Sequence, residues 1–274
     1  MIQKGAGVEQ TKYALVCEPS ENLDGGLKVK DLGPVDLARA GKQHRDYRRA
    51  LHSILGYNIV TLPPDPTHPD SVFVEDPAVV IKDALVISSL RRRERQGEEG
   101  NVFNALKAFF HYITFIEHHG YLEGGDVIVT DRVVYVGISR RTNHRGADQL
   151  AGIVRRNFGL PVKKIELPGA FLDRNLHLKG GATFHKIGGS GILLVSEEIV
   201  HRFKDDGFEL LVTPAKERFG ANCISEDGRI IVGSNKPKTK RLLKDRGFEI
   251  QEVDISEFEK IDGALTCLSK SFVA

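Results

Sequence analysis

Gly124-Gly-Asp-Val-Ile-Val-Thr-Asp-Arg-Val-Val-Tyr-Val-Gly-Ile-Ser139 places β-branched residues on both sides of a Thr-Asp-Arg turn, the pattern of a two-stranded hairpin. The arrangement returns at Ser71–Ser88, Gly180–Ser196 and Gly220–Ser234, and Gly263–Val273 is a fifth, shorter copy. Between the copies lie amphipathic stretches with helical spacing: Val35–Leu55, Val102–Ile116, Ala147–Phe158, Glu197–Asp206 and Lys238–Arg246. Separate strands follow at Asn58–Leu62, Val162–Leu167, Glu209–Val212 and Glu249–Val253. The unit reads hairpin, helix, strand, with starts near 71, 124, 180, 220 and 263.

Spacings of roughly 40 to 56 residues belong to repeat architectures, in which each unit covers its apolar face only by packing on its neighbours. Five units that close into a ring leave no end to cap. The expected fold is therefore a closed five-bladed α/β propeller, one domain over residues 1–274, with Tyr13–Cys17 completing the last blade. Gln96–Asn101 reads as a solvated loop, and Leu23–Gly33 as a loop long enough to act as a lid.

Composition narrows the function classes. A formal charge of +2 with interleaved signs gives no nucleic-acid footprint; Arg91-Arg92-Arg93 is followed at once by Glu94. No apolar run reaches the roughly 18 residues of a membrane span, and no leader pattern opens the chain. Three cysteines, Cys17, Cys223 and Cys267, without a leader point to free thiols in a reducing, cytoplasmic compartment.

Three groups of residues can carry chemistry. Glu123 precedes Gly124-Gly125, His177 lies three residues before Gly180-Gly181, and Cys267 falls inside the last hairpin copy. In a ring of repeats, equivalent ends of the units face the axis, so these three can meet. Each has an ordinary alternative: an exposed turn carboxylate, a satisfied histidine between leucines, a small apolar residue. Asp70, Glu75 and Asp76 form an acidic group; Glu75 and Asp76 are either solvated on an edge strand before Pro77 or a site for a cation such as guanidinium. The arginines at 91–93 and 140–141 are either solvated strand ends or a bidentate clamp for a carboxylate. Acids at one end and arginines at the other suit an amino acid with a cationic tail.

The chain resembles the dimethylargininases, members of the guanidino-group-modifying superfamily. The matching segments are Val35–His44, Asp70–Val80, Arg91–Glu94, Leu122-Glu-Gly-Gly-Asp-Val-Ile128, Gly137–Asn143, Leu176-His-Leu-Lys179, Ala221-Asn-Cys-Ile224 and Asp262-Gly-Ala-Leu-Thr-Cys267. The resemblance implies a five-bladed propeller (pentein) fold and hydrolysis of methylated arginine to citrulline. It implies Cys267 as nucleophile, His177 as general acid and then base, and Glu123 as the carboxylate orienting it. It places Asp70, Glu75 and Asp76 around the guanidinium, Arg91 and Arg141 on the substrate carboxylate, and Asp262 among the binding residues. Leu27 falls in the lid. Gly180 departs from the serine of animal members. No cofactor or metal is implied, and the partner is a small-molecule substrate, with a homodimer left open. Two rivals remain: an arginine deiminase releasing ammonia, and a non-catalytic propeller of the kind that binds ribosomal subunits.

Overall fold

The computed structural model describes residues 11–203 and 206–274. Residues 1–10, on which the reading of no leader partly rests, lie outside the described residues. Among the described residues, fifteen strands form five three-stranded sheets. β1 (Lys12–Cys17) pairs parallel with β2 (Asn58–Leu62) and antiparallel with β15 (Lys270–Val273), in the register Lys12↔Val273. The first and last strands thus complete one blade together. The other blades are β3 (Ala78–Ile81), β4 (Ala84–Ile87) and β5 (Tyr112–Phe115); β6 (Val127–Val129), β7 (Val134–Ile138) and β8 (Val162–Glu166). Then come β9 (Ala182–Ile187), β10 (Ser190–Ser196) and β11 (Glu209–Thr213), and finally β12 (Ile224–Glu226), β13 (Arg229–Gly233) and β14 (Glu249–Val253). In each, a hairpin is followed by a strand parallel to its middle member.

A parallel return needs a crossover. α1 (Leu37–Ser53), α2 (Glu98–Leu106), α3 (His144–Phe158) and α5 (Pro237–Asp245) supply four of them; α4 (Gly169–Leu172) and α6 (Ser256–Glu259) are single turns between blades. Local chemistry sets their ends. The Asp36 carboxylate accepts from Arg39 N at 3.0 Å, the Asn143 side chain accepts from Gly146 N at 2.8 Å, and Pro237 opens α5.

Two helix expectations are corrected. The stretch Val102–Ile116 is not one helix: α2 starts at Glu98 and ends at Leu106, and Tyr112–Phe115 becomes β5. The apolar run fits both periods, and pairing with β4 in the register Ala84↔Tyr112 decides it. The crossover of the fourth blade, read as a helix over Glu197–Asp206, is one 3₁₀ turn at Val200–Arg202, with Lys204 and Asp205 outside the described residues. Buried Ile199 and Phe203 cover that blade instead.

Five apolar clusters close the ring, one at each junction between neighbouring blades. Val79 and Val86 meet Val127 and Val136; Ile128 and Tyr135 meet Ala182 and Leu193; Ile192 and Leu194 meet Ile230 and Val232. Ile231 meets Ala14 and Val16, and Leu15 meets Ala78 and Leu85. At this last junction Phe272 stacks on Tyr13, with ring centroids 5.4 Å apart. The inner strands β3, β6, β9, β12 and β15 all line one central chamber of about 230 Å³. Among the described residues, no helix is long and apolar enough to cross a membrane.

Candidate active site

The segment before each inner strand turns toward the axis at one end of the ring: residues 70–77, 123–126, 177–180, 219–222 and 262–268. Backbone hydrogen bonds tie them together. Gly124 N donates to Asp76 O at 2.9 Å, and Glu75 N to Cys267 O at 3.3 Å. The Asp126 carboxylate accepts from Leu178 N at 2.9 Å and from Ser139 Oγ at 2.6 Å. The Gly-Gly of the second unit follows from this closeness. A Cβ on Gly124 would stand 2.1 Å from Glu75 O, and one on Gly125 would stand 2.8 Å from the His177 ring. Glu75 and Asp76 are not on an edge strand: β3 begins at Ala78, and both acids are buried in the preceding turn.

Glu123, with no exposed surface, bonds His177 Nε2 at 2.6 Å. Burial opposes a charge on His177, but Asp76, Asp126 and the Glu123 hydrogen bond outweigh it and lift its pKa to about 9. Burial likewise opposes charge on Glu123, yet the His177 hydrogen bond and the neighbouring cations hold it below the usual carboxylate range. The pair is an imidazolium–carboxylate at neutral pH. Cys267 shares the cleft with His177, Asp76 and Asp262. Burial, then the charges of Glu75 and Asp76, push its thiol well above 9.0, so the thiol is favoured over the thiolate.

Arg91 is corrected. It is exposed, donates to Arg140 O at 3.1 Å and lies over Tyr121, away from the cleft. Arg95 is there instead, buried, and its Nη1 donates to Asp76 at 2.7 Å and lies 3.6 Å from Glu123. Its Nε and Nη2 donate to Glu98, which is buried, so the 96–101 stretch is not wholly a solvated loop. With its donors saturated, Arg95 positions acids. Arg141 makes one long contact, 3.4 Å to Glu123, and keeps donors for a ligand. Glu75 accepts from Lys179 Nζ and from Thr266 Oγ1, both at 2.7 Å, while Asn222 braces Thr266.

Residues 27 and 29 cover this floor. Leu27 N donates to both oxygens of Asp70, and Val29 N to Asp262, whose other oxygen holds Arg218. About 10 Å³ remains in the cleft lined by Leu27, His177 and Cys267, room for roughly one water.

The profile of the family described as N,N dimethylarginine dimethylhydrolase, eukaryotic, matches residues 34–269. The chain belongs to the dimethylarginine dimethylaminohydrolase family. The N(G),N(G)-dimethylarginine dimethylaminohydrolase of Pseudomonas aeruginosa is 33% identical to it, over 95% of this chain and 99% of its own. That of Streptomyces coelicolor is 33% identical over 94% and 96%. A cysteine-to-serine variant of the P. aeruginosa dimethylarginine dimethylaminohydrolase complexed with citrulline superimposes with a TM-score of 0.87, covering 96% of this chain and 99% of that one.

In this family member, donor atoms of Asp76, Glu123 and His177 lie within 4.8 Å of one another, close enough for a metal ion. Their lone pairs are already committed: Glu123 to the imidazolium, Asp76 to Arg95 and to Gly125 N. A metal would have to displace a buried guanidinium and a proton, so the donor set fits proton transfer. Glu123→Gln should move the alkaline limb of kcat against pH downward. Removing the carboxylate lowers the His177 pKa from about 9, and the charged imidazole is lost as pH rises through the new, lower value. A pH–rate profile unchanged by the substitution would detach Glu123 from His177.

Proposed function

We propose that this family member hydrolyses methylated arginine, releasing citrulline and dimethylamine or methylamine, with Cys267 as nucleophile. The observation that carries this is His177 held against Glu123 at 2.6 Å in the cleft that also holds the Cys267 thiol and the carboxylates of Glu75 and Asp76. Those carboxylates raise the thiol pKa in the free protein; a bound guanidinium offsets their field, and the thiol gives its proton to solvent. The thiolate adds to the guanidinium carbon. His177 then gives its proton to the departing dimethylamine nitrogen and the carbon–nitrogen bond breaks, leaving a thiouronium on Cys267. Neutral His177 takes a proton from water, the hydroxide adds to the same carbon, and the carbon–sulfur bond breaks; the new hydroxyl's proton passes to the departing thiolate, giving citrulline and the free thiol. No cofactor enters the proton and electron balance.

The binding frame follows from charge. Glu75 and Asp76 meet the guanidinium, Arg141 has donors free for the α-carboxylate, and Asp70 and Asp262 sit under the lid where an α-ammonium would exchange for lid amides. Arginine, monomethylarginine and asymmetric dimethylarginine offered in parallel test this. Citrulline with methylamine or dimethylamine is expected from the methylated substrates at the higher kcat/KM. Preferential release of ammonia from arginine would identify a deiminase, and no citrulline from any of the three would leave a binding protein.

A further inference from the structure

Behind the nucleophile lies a second compartment. Glu75 and Lys179 line both the Cys267 cleft and the 230 Å³ central chamber, and their ion pair forms the wall between them. Lys270, the first residue of β15, reaches the chamber from the other side. Lys270 is buried along β15 as Phe272 is, and Ser271 beside it also lines the chamber. Lys270 is 7% exposed and makes no hydrogen bond or ion pair with any described residue. A buried ammonium without a counter-charge is costly. Glu75, the one carboxylate among the described residues that line the chamber, already accepts from Lys179 and Thr266. The remaining groups that act on Lys270 are Lys179, which opposes its charge, and Asp76 and Cys267, which lie toward the cleft. Tyr57, at the chamber's edge, is committed to Glu226.

We propose that Lys270 holds a small monovalent inorganic anion, of the halide or bicarbonate class, in the central chamber. The chamber has room for such an ion with water around it, and the ion supplies the charge that the protein does not. Burial lowers the Lys270 pKa to about 7. The free amine is therefore partly neutral at pH 7, and the anion binds its charged form. Apparent affinity is then about tenfold weaker at pH 8 than at pH 6.

Thermal unfolding in sodium chloride, with sodium gluconate holding ionic strength constant, reads binding without turnover and so stands apart from the proposed reaction. The wild-type midpoint should rise along a saturable curve, more steeply at pH 6 than at pH 8. Lys270→Met, which keeps volume and removes charge, should lose the saturable part; Lys270→Arg should retain it if both variants show native circular dichroism. Crystals soaked in bromide should show an anomalous peak beside Nζ of Lys270. Equal chloride responses in wild type and Lys270→Met, or a bromide-free chamber, would overturn the proposal and show burial alone keeping the amine neutral.

Discussion

Cys267→Ser is expected to lower kcat on asymmetric dimethylarginine by on the order of 10⁴-fold or more. The melting temperature should stay within about 2 °C, since one sulfur-to-oxygen exchange at a partly accessible position removes little packing. A serine hydroxyl in this cleft has no route to ionisation. The base that could take its proton is His177, already protonated at neutral pH, and the nearby carboxylates Glu75 and Asp76 oppose a second negative charge. The thiol escapes the same trap because its intrinsic pKa is far lower and the cationic substrate brings the balancing charge. Steady-state release of citrulline by the purified variant checks this; retention of even a tenth of wild-type kcat would remove Cys267 from the nucleophile's role.

The second large effect is expected at His177. Substituting alanine should cost about 10²- to 10⁴-fold in kcat, the usual worth of a positioned general acid. The loss should depend on the leaving group. Dimethylamine must leave protonated, whereas an isothiourea analogue expelling methanethiol leaves without that proton, and the variant should turn it over with a much smaller defect. Stability should change its pH dependence as well. The folded pKa of about 9 exceeds the unfolded value of 6.5, so the contribution is fully present below pH 6.5 and is lost as pH rises through about 9. His177→Ala should lack that decline between pH 7 and 9. A defect equal for both leaving groups would assign His177 a structural part only.

Much of the architecture was legible because its signals are local. Period-two alternation around 127–138, 182–196 and 224–233 marks hairpins, and ring closure follows from five units that cannot bury their faces alone. The errors came where a short apolar run satisfies two periods. Residues 109–116 read as helix until β4 claims Tyr112–Phe115 as a partner, a long-range pairing that no window of sequence contains. The site was legible where glycines signal close approach, at Glu123-Gly124-Gly125-Asp126. It was not at the arginines. Arg91 and Arg95 are four residues apart in an arginine-rich stretch broken only by Glu94, and only the fold shows that Arg95 turns inward. A signal was present: Glu98 lies three residues after Arg95 at the start of α2, spacing that permits an ion pair on one turn. Lys270 left no local mark, because its position looks like a strand residue next to the chain's end; its burial depends on the pairing of β15 with β1.

The central claim is that the guanidino carbon passes through a covalent bond to Cys267. Rapid acid quench of enzyme mixed with asymmetric dimethylarginine, followed by intact mass measurement and peptide mapping, observes that bond directly. An adduct is expected within the first turnover, carrying the substrate less dimethylamine, confined to the peptide containing Cys267, and absent from Cys267→Ser. Accumulation of citrulline at full rate with no adduct on Cys267 at any quench time, together with an active Cys267→Ser, would contradict it.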